Sequence, residues 1–110
     1  MEDLLREFAE VHRLAIITDE VEGFPRRREY LLRRAAVADR FEIACPHEPT
    51  AKPAANTYAL RLLEYDAKLK TSRGPLEPED PQWVGRPRDY VRQEYDAWVL
   101  GGSAEQPQDR

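Results

Sequence analysis

Residues 25–44, PRRREYLLRRAAVADRFEIA, determine the fold class, because they fit either one long helix or the centre of a mixed α/β unit. Pro25 suits the first turn of a helix, where its missing N–H is not needed. Apolar residues recur at helical spacing along the stretch, at Tyr30, Leu31, Ala35, Ala38 and Phe41. Cys45-Pro46 ends the pattern, because the residue before a proline avoids the α conformation. These features predict a helix over residues 25–44.

A competing interpretation makes residues 13–45 a βαβ unit within an α+β fold. Residues 13–18 and 41–45 would be its strands, with a helix between them. However, no turn residue separates Ala38 from Phe41, so the helix would have to run directly into a strand. A two-stranded parallel sheet would also be too small to be stable alone. The all-α interpretation is therefore favoured.

Three further stretches have helical periodicity, near residues 2–20, 53–71 and 87–100. Their apolar stripes are Leu4, Phe8, Val11 and Ala15; Tyr58, Leu62, Tyr65 and Leu69; and Val91, Tyr95 and Trp98. Together with residues 25–44 they predict an all-α fold, a small bundle of about four helices.

Proline and glycine predict how these helices are connected and where the last one ends. Residues 74–87 contain four prolines, which predict an ordered loop that Trp83 and Val84 anchor on the bundle. Gly101-Gly102 predicts the end of the fourth helix. We therefore expect a single helical domain over residues 1–102, followed by a polar, disordered tail over residues 103–110.

Length and composition are those of one small domain. The chain has 110 residues and a net charge of −4. No apolar run approaches the roughly 20 residues that a membrane span needs. The acidic start, Met1-Glu2-Asp3, is unlike a signal peptide, and the single cysteine fits a reducing compartment, so we expect a cytoplasmic protein without membrane association. The 14 arginines against 3 lysines indicate a GC-rich bacterial genome.

The basic residues are concentrated in the second helix. Residues 1–22 have a net charge of −5 and residues 23–40 a net charge of +4. Five arginines in this block are candidates for binding a partner or an anion: Arg26, Arg27, Arg28, Arg33 and Arg34. Arginine binds phosphate bidentately, so a nucleic-acid-binding bacterial regulator is one hypothesis. The net charge disfavours it, and the acidic first helix could neutralise the arginines within the chain.

No catalytic or metal-binding motif is evident. Cys45, His47 and Glu48 are potential ligands, but the sequence lacks a CxxC or HxxxH spacing. Side chains two apart in an extended loop point to opposite faces, which argues against a Cys45–His47 nucleophile and base. There is also no glycine-rich phosphate loop. We therefore expect no catalytic residues, no metal and no cofactor. A small enzyme or ligand carrier with an interhelical pocket stays open as a third hypothesis.

Four aromatic residues could form an interaction surface, because tyrosine and tryptophan are enriched at binding hot spots. They are Trp83, Tyr90, Tyr95 and Trp98. Burial in the core is the alternative for such residues in a small domain. The leading hypothesis is a non-catalytic protein-interaction or regulatory module that acts through charged and aromatic helix surfaces. It includes a homodimer in which the acidic first helix pairs with the basic second helix of the other copy.

Overall fold

The computed structural model describes the backbone of residues 2–20 and 24–105, and the side-chain surroundings of residues 3–15 and 26–101. In these ranges there are four α-helices and no strand. The elements are α1 (Glu2–Glu20), α2 (Phe24–Ala44), α3 (Ala51–Leu69), a 3₁₀ turn (Pro81–Trp83) and α4 (Pro87–Glu105). The all-α prediction is confirmed. No described helix combines the length and the apolar character that crossing a bilayer requires.

The βαβ alternative over residues 13–45 is wrong. Residues 13–18 lie within α1, and α2 continues to Ala44, where the Cys45 amide still donates to the Phe41 carbonyl at 2.8 Å. The helical stripe outweighs the local strand propensity of these residues, because Leu4, Val11 and Leu14 are all buried on one side of α1.

Helix α2 is the centre of the bundle. It packs against all three other helices, whereas α1 packs against α2 alone among the described elements. Leu32 and Ala36 face the core shared with α3 and α4, and Val37 faces Leu4 and Val11 of α1. Because α2 is covered on several sides, only part of its surface remains open.

Helix α3 has a buried face of small residues. Ala51, Ala55 and Ala59 recur at every fourth position of α3 and are all buried. The predicted stripe of α3 is displaced from this face: Leu62 is buried, but Leu69 is 43% exposed. The two tyrosines of the stripe, Tyr58 and Tyr65, are half-buried.

The proline-rich segment between α3 and α4 is ordered, as predicted. The Gln93 side chain holds it by donating to the Leu76 carbonyl at 2.9 Å and accepting from the Leu76 amide at 3.3 Å. Trp83 donates from its indole nitrogen to the Glu77 carbonyl at 2.9 Å and packs edge-on against Tyr90. Val84 is 80% exposed and does not anchor the segment.

The ends of α3 and α4 differ from the predicted ones. Helix α4 continues through Gly101 and Gly102 to Glu105, because glycine weakens a helix by only about 1 kcal/mol and does not forbid it. Helix α3 begins two residues before Pro53 and ends at Leu69, and Lys70 then takes a left-handed conformation with φ of 56°. Residues 106–110 of the predicted tail lie outside the described residues, so the division of the chain at residue 102 remains a prediction.

Candidate functional site: a cationic groove between α2 and α3

Arg28, the third of the candidate arginines, is held inside the bundle by two buried carboxylates. Its Nε and Nη2 donate to the two oxygens of Asp66, both at 2.7 Å, and Nη2 also donates to Glu94 Oε1 at 2.8 Å. Tyr90 donates its hydroxyl to Asp66 Oδ2 at 2.6 Å. These four residues, the Arg28 cluster, join the start of α2 to the end of α3 and to α4. The Arg28–Asp66 pair also shows that α2 and α3 are antiparallel.

Both carboxylates of the Arg28 cluster have every oxygen hydrogen-bonded. Thr71 Oγ1 donates to Asp66, while Glu94 accepts from the backbone amides of Arg73 and Gly74 and from the Gln93 side chain. Each of the four oxygens therefore accepts at least two hydrogen bonds, which offsets the cost of burying the charges. Asp66 and Glu94 are 0% exposed, so this arrangement fixes the segment after α3 rather than presenting an acid or a base to solvent.

The ionisation of the Arg28 cluster is set by burial and by its own charges. Burial opposes the charge of Arg28, but hydrogen bonds and proximity to Asp66 and Glu94 outweigh it and raise the Arg28 pKa. Burial, followed by the hydrogen bond to Asp66, raises the pKa of Tyr90 well above its usual range. Arg28 therefore stays charged and Tyr90 stays neutral.

A second ion-pair network joins the other end of α2 to α4. Asp39 Oδ1 accepts from Arg88 Nε at 2.6 Å and from Arg92 Nη2 at 2.9 Å, and Arg88 also contacts Glu42 at 2.9 Å. Burial raises the pKa of Asp39, but the hydrogen bonds from Arg92 and Arg88 outweigh burial and leave this pKa below its ordinary value. Asp39 is thus ionised and fixes the orientation of α4.

Arg33 and Arg26 also have partners within the chain. Arg33 Nε donates to Glu7 of α1 at 2.8 Å, Arg33 Nη1 donates to Glu29 at 3.0 Å, and its guanidinium lies 5.3 Å from the Trp98 ring centroid. Arg26 contacts Glu29 at 3.0 Å. Three of the five candidate arginines, Arg26, Arg28 and Arg33, are therefore paired with carboxylates of the same chain.

The other two, Arg27 and Arg34, lie in a groove between α2 and α3. This cationic groove has a volume of about 560 Å³. It is lined by Arg27, Tyr30, Leu31, Arg34, Arg61, Glu64, Tyr65 and Lys68. None of its four cations forms an ion pair with any residue that the structure describes. Within the part of the chain that the structure describes, the groove thus contains four cations without an ion-pair partner and one carboxylate.

The cations of the groove are arranged in two rows. Arg27 and Arg34 are seven residues apart on α2, as Arg61 and Lys68 are on α3. Seven helical residues rise by about 10.5 Å. Because the helices are antiparallel, Arg27 and Lys68 lie at one end of the groove and Arg34 and Arg61 at the other. The lining residues without charge, Tyr30, Leu31 and Tyr65, lie between the two ends.

Arg34 is held in place by aromatic rings instead of carboxylates. Its guanidinium carbon lies 4.1 Å from the Tyr58 ring centroid and 5.1 Å from that of Tyr30, and Nη1 donates to the Tyr30 hydroxyl at 3.1 Å. Its Nε is buried without a partner among the described residues. Because its conformation is already restricted, Arg34 has less side-chain entropy to lose when it binds an anion.

The predicted aromatic surface does not form as a unit. Tyr90 and Trp83 are 0% and 7% exposed and belong to the core. Tyr95 and Trp98 are half-buried and contact each other with ring centroids 5.6 Å apart. The aromatic residues that do line the groove, Tyr30 and Tyr65, are missing from the predicted surface because both fit an apolar core stripe.

A signal for the groove is present in the sequence. On α2, Tyr30 comes three residues after Arg27 and four before Arg34; on α3, Tyr65 comes four after Arg61 and three before Lys68. Because α2 and α3 are antiparallel, the same order of cation, tyrosine and cation runs along both sides of the groove. The pattern can be recognised only after the two helices have been paired.

Cys45 and His47 lie in the connection between α2 and α3. Cys45 is a free, half-buried thiol directly after α2, and His47 is exposed. Within the described part of the chain, no group of three or more histidine, cysteine or acidic side chains is placed to hold a metal ion.

No protein-family model matches this chain, and no curated protein or solved structure shows significant similarity to it.

Proposed function

We propose that this protein is a small, non-catalytic protein-interaction module, and that its cationic groove binds an acidic segment of a partner protein. The observation that carries the proposal is the contrast in how the basic residues are used. Arg28, Arg33 and Arg88 are paired inside the bundle, whereas all four cations of the groove lack a carboxylate partner among the described residues. Unpaired charge of one sign around aromatic side chains attracts a partner of opposite charge.

Three features support an acidic protein segment over a nucleic acid. The chain has a net charge of −4, the groove itself contains Glu64, and the unpaired cations extend over only about 10.5 Å. Nucleic-acid binders gain most of their affinity from many phosphate contacts along a longer basic surface. The arginine-rich, lysine-poor composition and the single cysteine support a bacterial, cytoplasmic setting.

The buried carboxylates support binding over catalysis. Asp66 and Glu94 would be the natural acid–base candidates, but each of their oxygens already accepts two hydrogen bonds and neither residue is exposed. A general base must reach the proton that it removes. The groove offers fixed positive charge, which is suited to holding an anion.

Fluorescence anisotropy tests the proposal directly. The protein is titrated into labelled glutamate-rich peptides and into labelled single- and double-stranded oligonucleotides of equal charge. We expect the peptides to bind more tightly than the oligonucleotides, with an affinity that falls as salt rises. The double variant Arg27→Gln/Arg61→Gln should lower peptide affinity by about tenfold or more.

A matched double variant distinguishes the effect of the groove cations on peptide affinity from the effect of overall charge. Arg6→Gln/Lys52→Gln also removes two exposed positive charges, but both lie outside the groove. It should leave peptide affinity within about twofold. Equal losses in the two double variants, or tighter oligonucleotide binding that depends on Arg27 and Arg61, would reject the acidic-protein partner.

Light scattering covers the case in which the partner is a second copy of the chain. A homodimer through the groove requires a doubled mass in solution that Arg27→Gln/Arg61→Gln returns to the monomer value. If neither the peptides nor a second copy binds in the groove, the proposed function is withdrawn.

A further inference from the structure

The two helices of the cationic groove present the same order of cation, tyrosine and cation, which limits what can lie in the groove. From one end to the other, α2 presents Arg27, Tyr30 and Arg34, and antiparallel α3 presents Lys68, Tyr65 and Arg61 at the same spacings. Each end therefore has one cation from each helix, and a tyrosine pair lies in the middle. A ligand that matches the groove has an anionic group at each end and an uncharged group between them.

The distance between the two ends distinguishes a helical ligand from an extended one. The ends are separated by seven residues of helix, or about 10.5 Å. In an extended chain, residues on one face recur about every 6.8 Å, so same-face side chains are about 6.8 or 13.6 Å apart. In an α-helix, residues i and i+7 share a face and have the required rise of about 10.5 Å.

The middle of the groove supplies the contact for an uncharged anchor. Tyr30, Leu31 and Tyr65 line it, and Leu31 and Tyr58 pack against the buried core behind it. On a bound helix, residue i+3 or i+4 lies on the same face as i and i+7. An apolar or aromatic side chain at that position would contact the tyrosine pair, as in other helix-in-groove complexes.

Building on the function proposed above, we propose that the partner segment is an α-helix with acidic residues at positions i and i+7 and an apolar residue at i+3 or i+4. One acidic side chain lies between Arg27 and Lys68, and the other lies between Arg34 and Arg61. Because each end of the groove has one cation from each helix, the bound helix can lie in either direction, and specificity comes from the spacing of its side chains.

Three synthetic peptides of nearly equal composition test the spacing. The first is an alanine-rich helix with glutamates at i and i+7 and leucine at i+4. The second moves the later glutamate to i+5, and the third replaces the alanine at i+3 by proline. We expect the first to bind at least about tenfold more tightly than the other two. Its helical content, measured by circular dichroism, should rise on binding.

A charge exchange tests the assignment of the groove ends. Lys68→Glu should weaken the first peptide by about tenfold, and a peptide with lysine in place of one glutamate should restore affinity to this variant. Lys52→Glu, an equal change of charge outside the groove, should alter neither affinity by more than about twofold. If Lys68→Glu and Lys52→Glu act alike, or if the lysine peptide gives no rescue, the assignment of the ends is wrong.

The outcomes separate this inference from the function on which it rests. If the three peptides bind equally and Arg27→Gln/Arg61→Gln weakens them all, the helical spacing is rejected and the acidic-segment function stands. If none of the peptides binds, and the glutamate-rich peptides above also fail, both are rejected.

Discussion

Arg27 and Arg28 are neighbours in α2, yet their environments are opposite. Arg28 is enclosed by Asp66 and Glu94, and Arg27 is exposed at one end of the cationic groove. One step along a helix turns the side chain by about 100°, which moves it from the inside of the bundle to its surface. The comparison shows that adjacent arginines of one run have different surroundings: Arg28 holds the bundle together, whereas Arg27 stays exposed in the groove.

Removing Arg28 should have the largest effect on stability. Arg28→Ala leaves two buried carboxylates without their counter-charge, which should lower the free energy of unfolding by about 3–5 kcal/mol. Arg27→Ala, at the adjacent position, should change it by less than about 0.5 kcal/mol. Urea denaturation of both variants measures the difference, and a similar loss in both would contradict the division between the two arginines.

Much of the fold, but little of the site, can be predicted from the sequence. The four helices follow from apolar spacing, because burial of one face is what stabilises a helix in a small domain. The surroundings of Arg27 and Arg28 differ because side-chain direction turns by about 100° from one residue of α2 to the next. They also depend on which helices cover α2. Asp66 and Glu94 are two of 21 acidic residues, and nothing in their local sequence distinguishes them. The Arg28 cluster is defined only when the ends of α2 and α3 are brought together.

The second ion-pair network should contribute less than the Arg28 cluster. Asp39→Asn removes the charge shared by Arg88 and Arg92, but Arg92 is half exposed and Arg88 keeps Glu42 as a partner. After allowance for solvent screening, we expect a loss of about 1–2 kcal/mol at neutral pH, measured by urea denaturation.

The pH dependence of this loss follows from the lowered pKa of Asp39. A carboxyl group with a lowered folded-state pKa stabilises the protein above its unfolded pKa, here 3.8, and this contribution is lost as the pH falls through the folded value. The native chain and the Asp39→Asn variant should therefore converge in stability at strongly acidic pH. A difference that persists there would assign the effect to hydrogen-bond geometry instead of charge.

Lys70 is the residue directly after the end of α3. It follows Asp66 of the Arg28 cluster and Lys68 of the cationic groove along the chain. Its left-handed backbone is set by the Asp66 carbonyl, which accepts from the amides of both Lys70 and Thr71. A side chain in this conformation costs about 1 kcal/mol, and glycine avoids the cost but gains freedom in the unfolded state. Lys70→Gly should raise the free energy of unfolding by about 0.5 kcal/mol, measured by urea denaturation. A clear loss would show that the Lys70 side chain has a stabilising contact of its own.

Replacing Arg34 should affect peptide binding rather than stability, the opposite of what is expected for Arg28. Its partners are the rings of Tyr30 and Tyr58, so its removal leaves no buried charge behind. Arg34→Leu keeps an apolar contact with both rings and eliminates the buried Nε that has no described partner. The lost cation–π attraction and the relieved desolvation nearly cancel, so stability should change by less than about 0.5 kcal/mol.

Binding of the acidic helical peptide to the Arg34→Leu variant should nevertheless fall by about tenfold, since one end of the groove loses a cation. Urea denaturation and anisotropy on the same sample measure both quantities. If Arg34→Leu lowers stability as Arg28→Ala does, then Arg34 is a structural residue and the groove has three cations available to a partner.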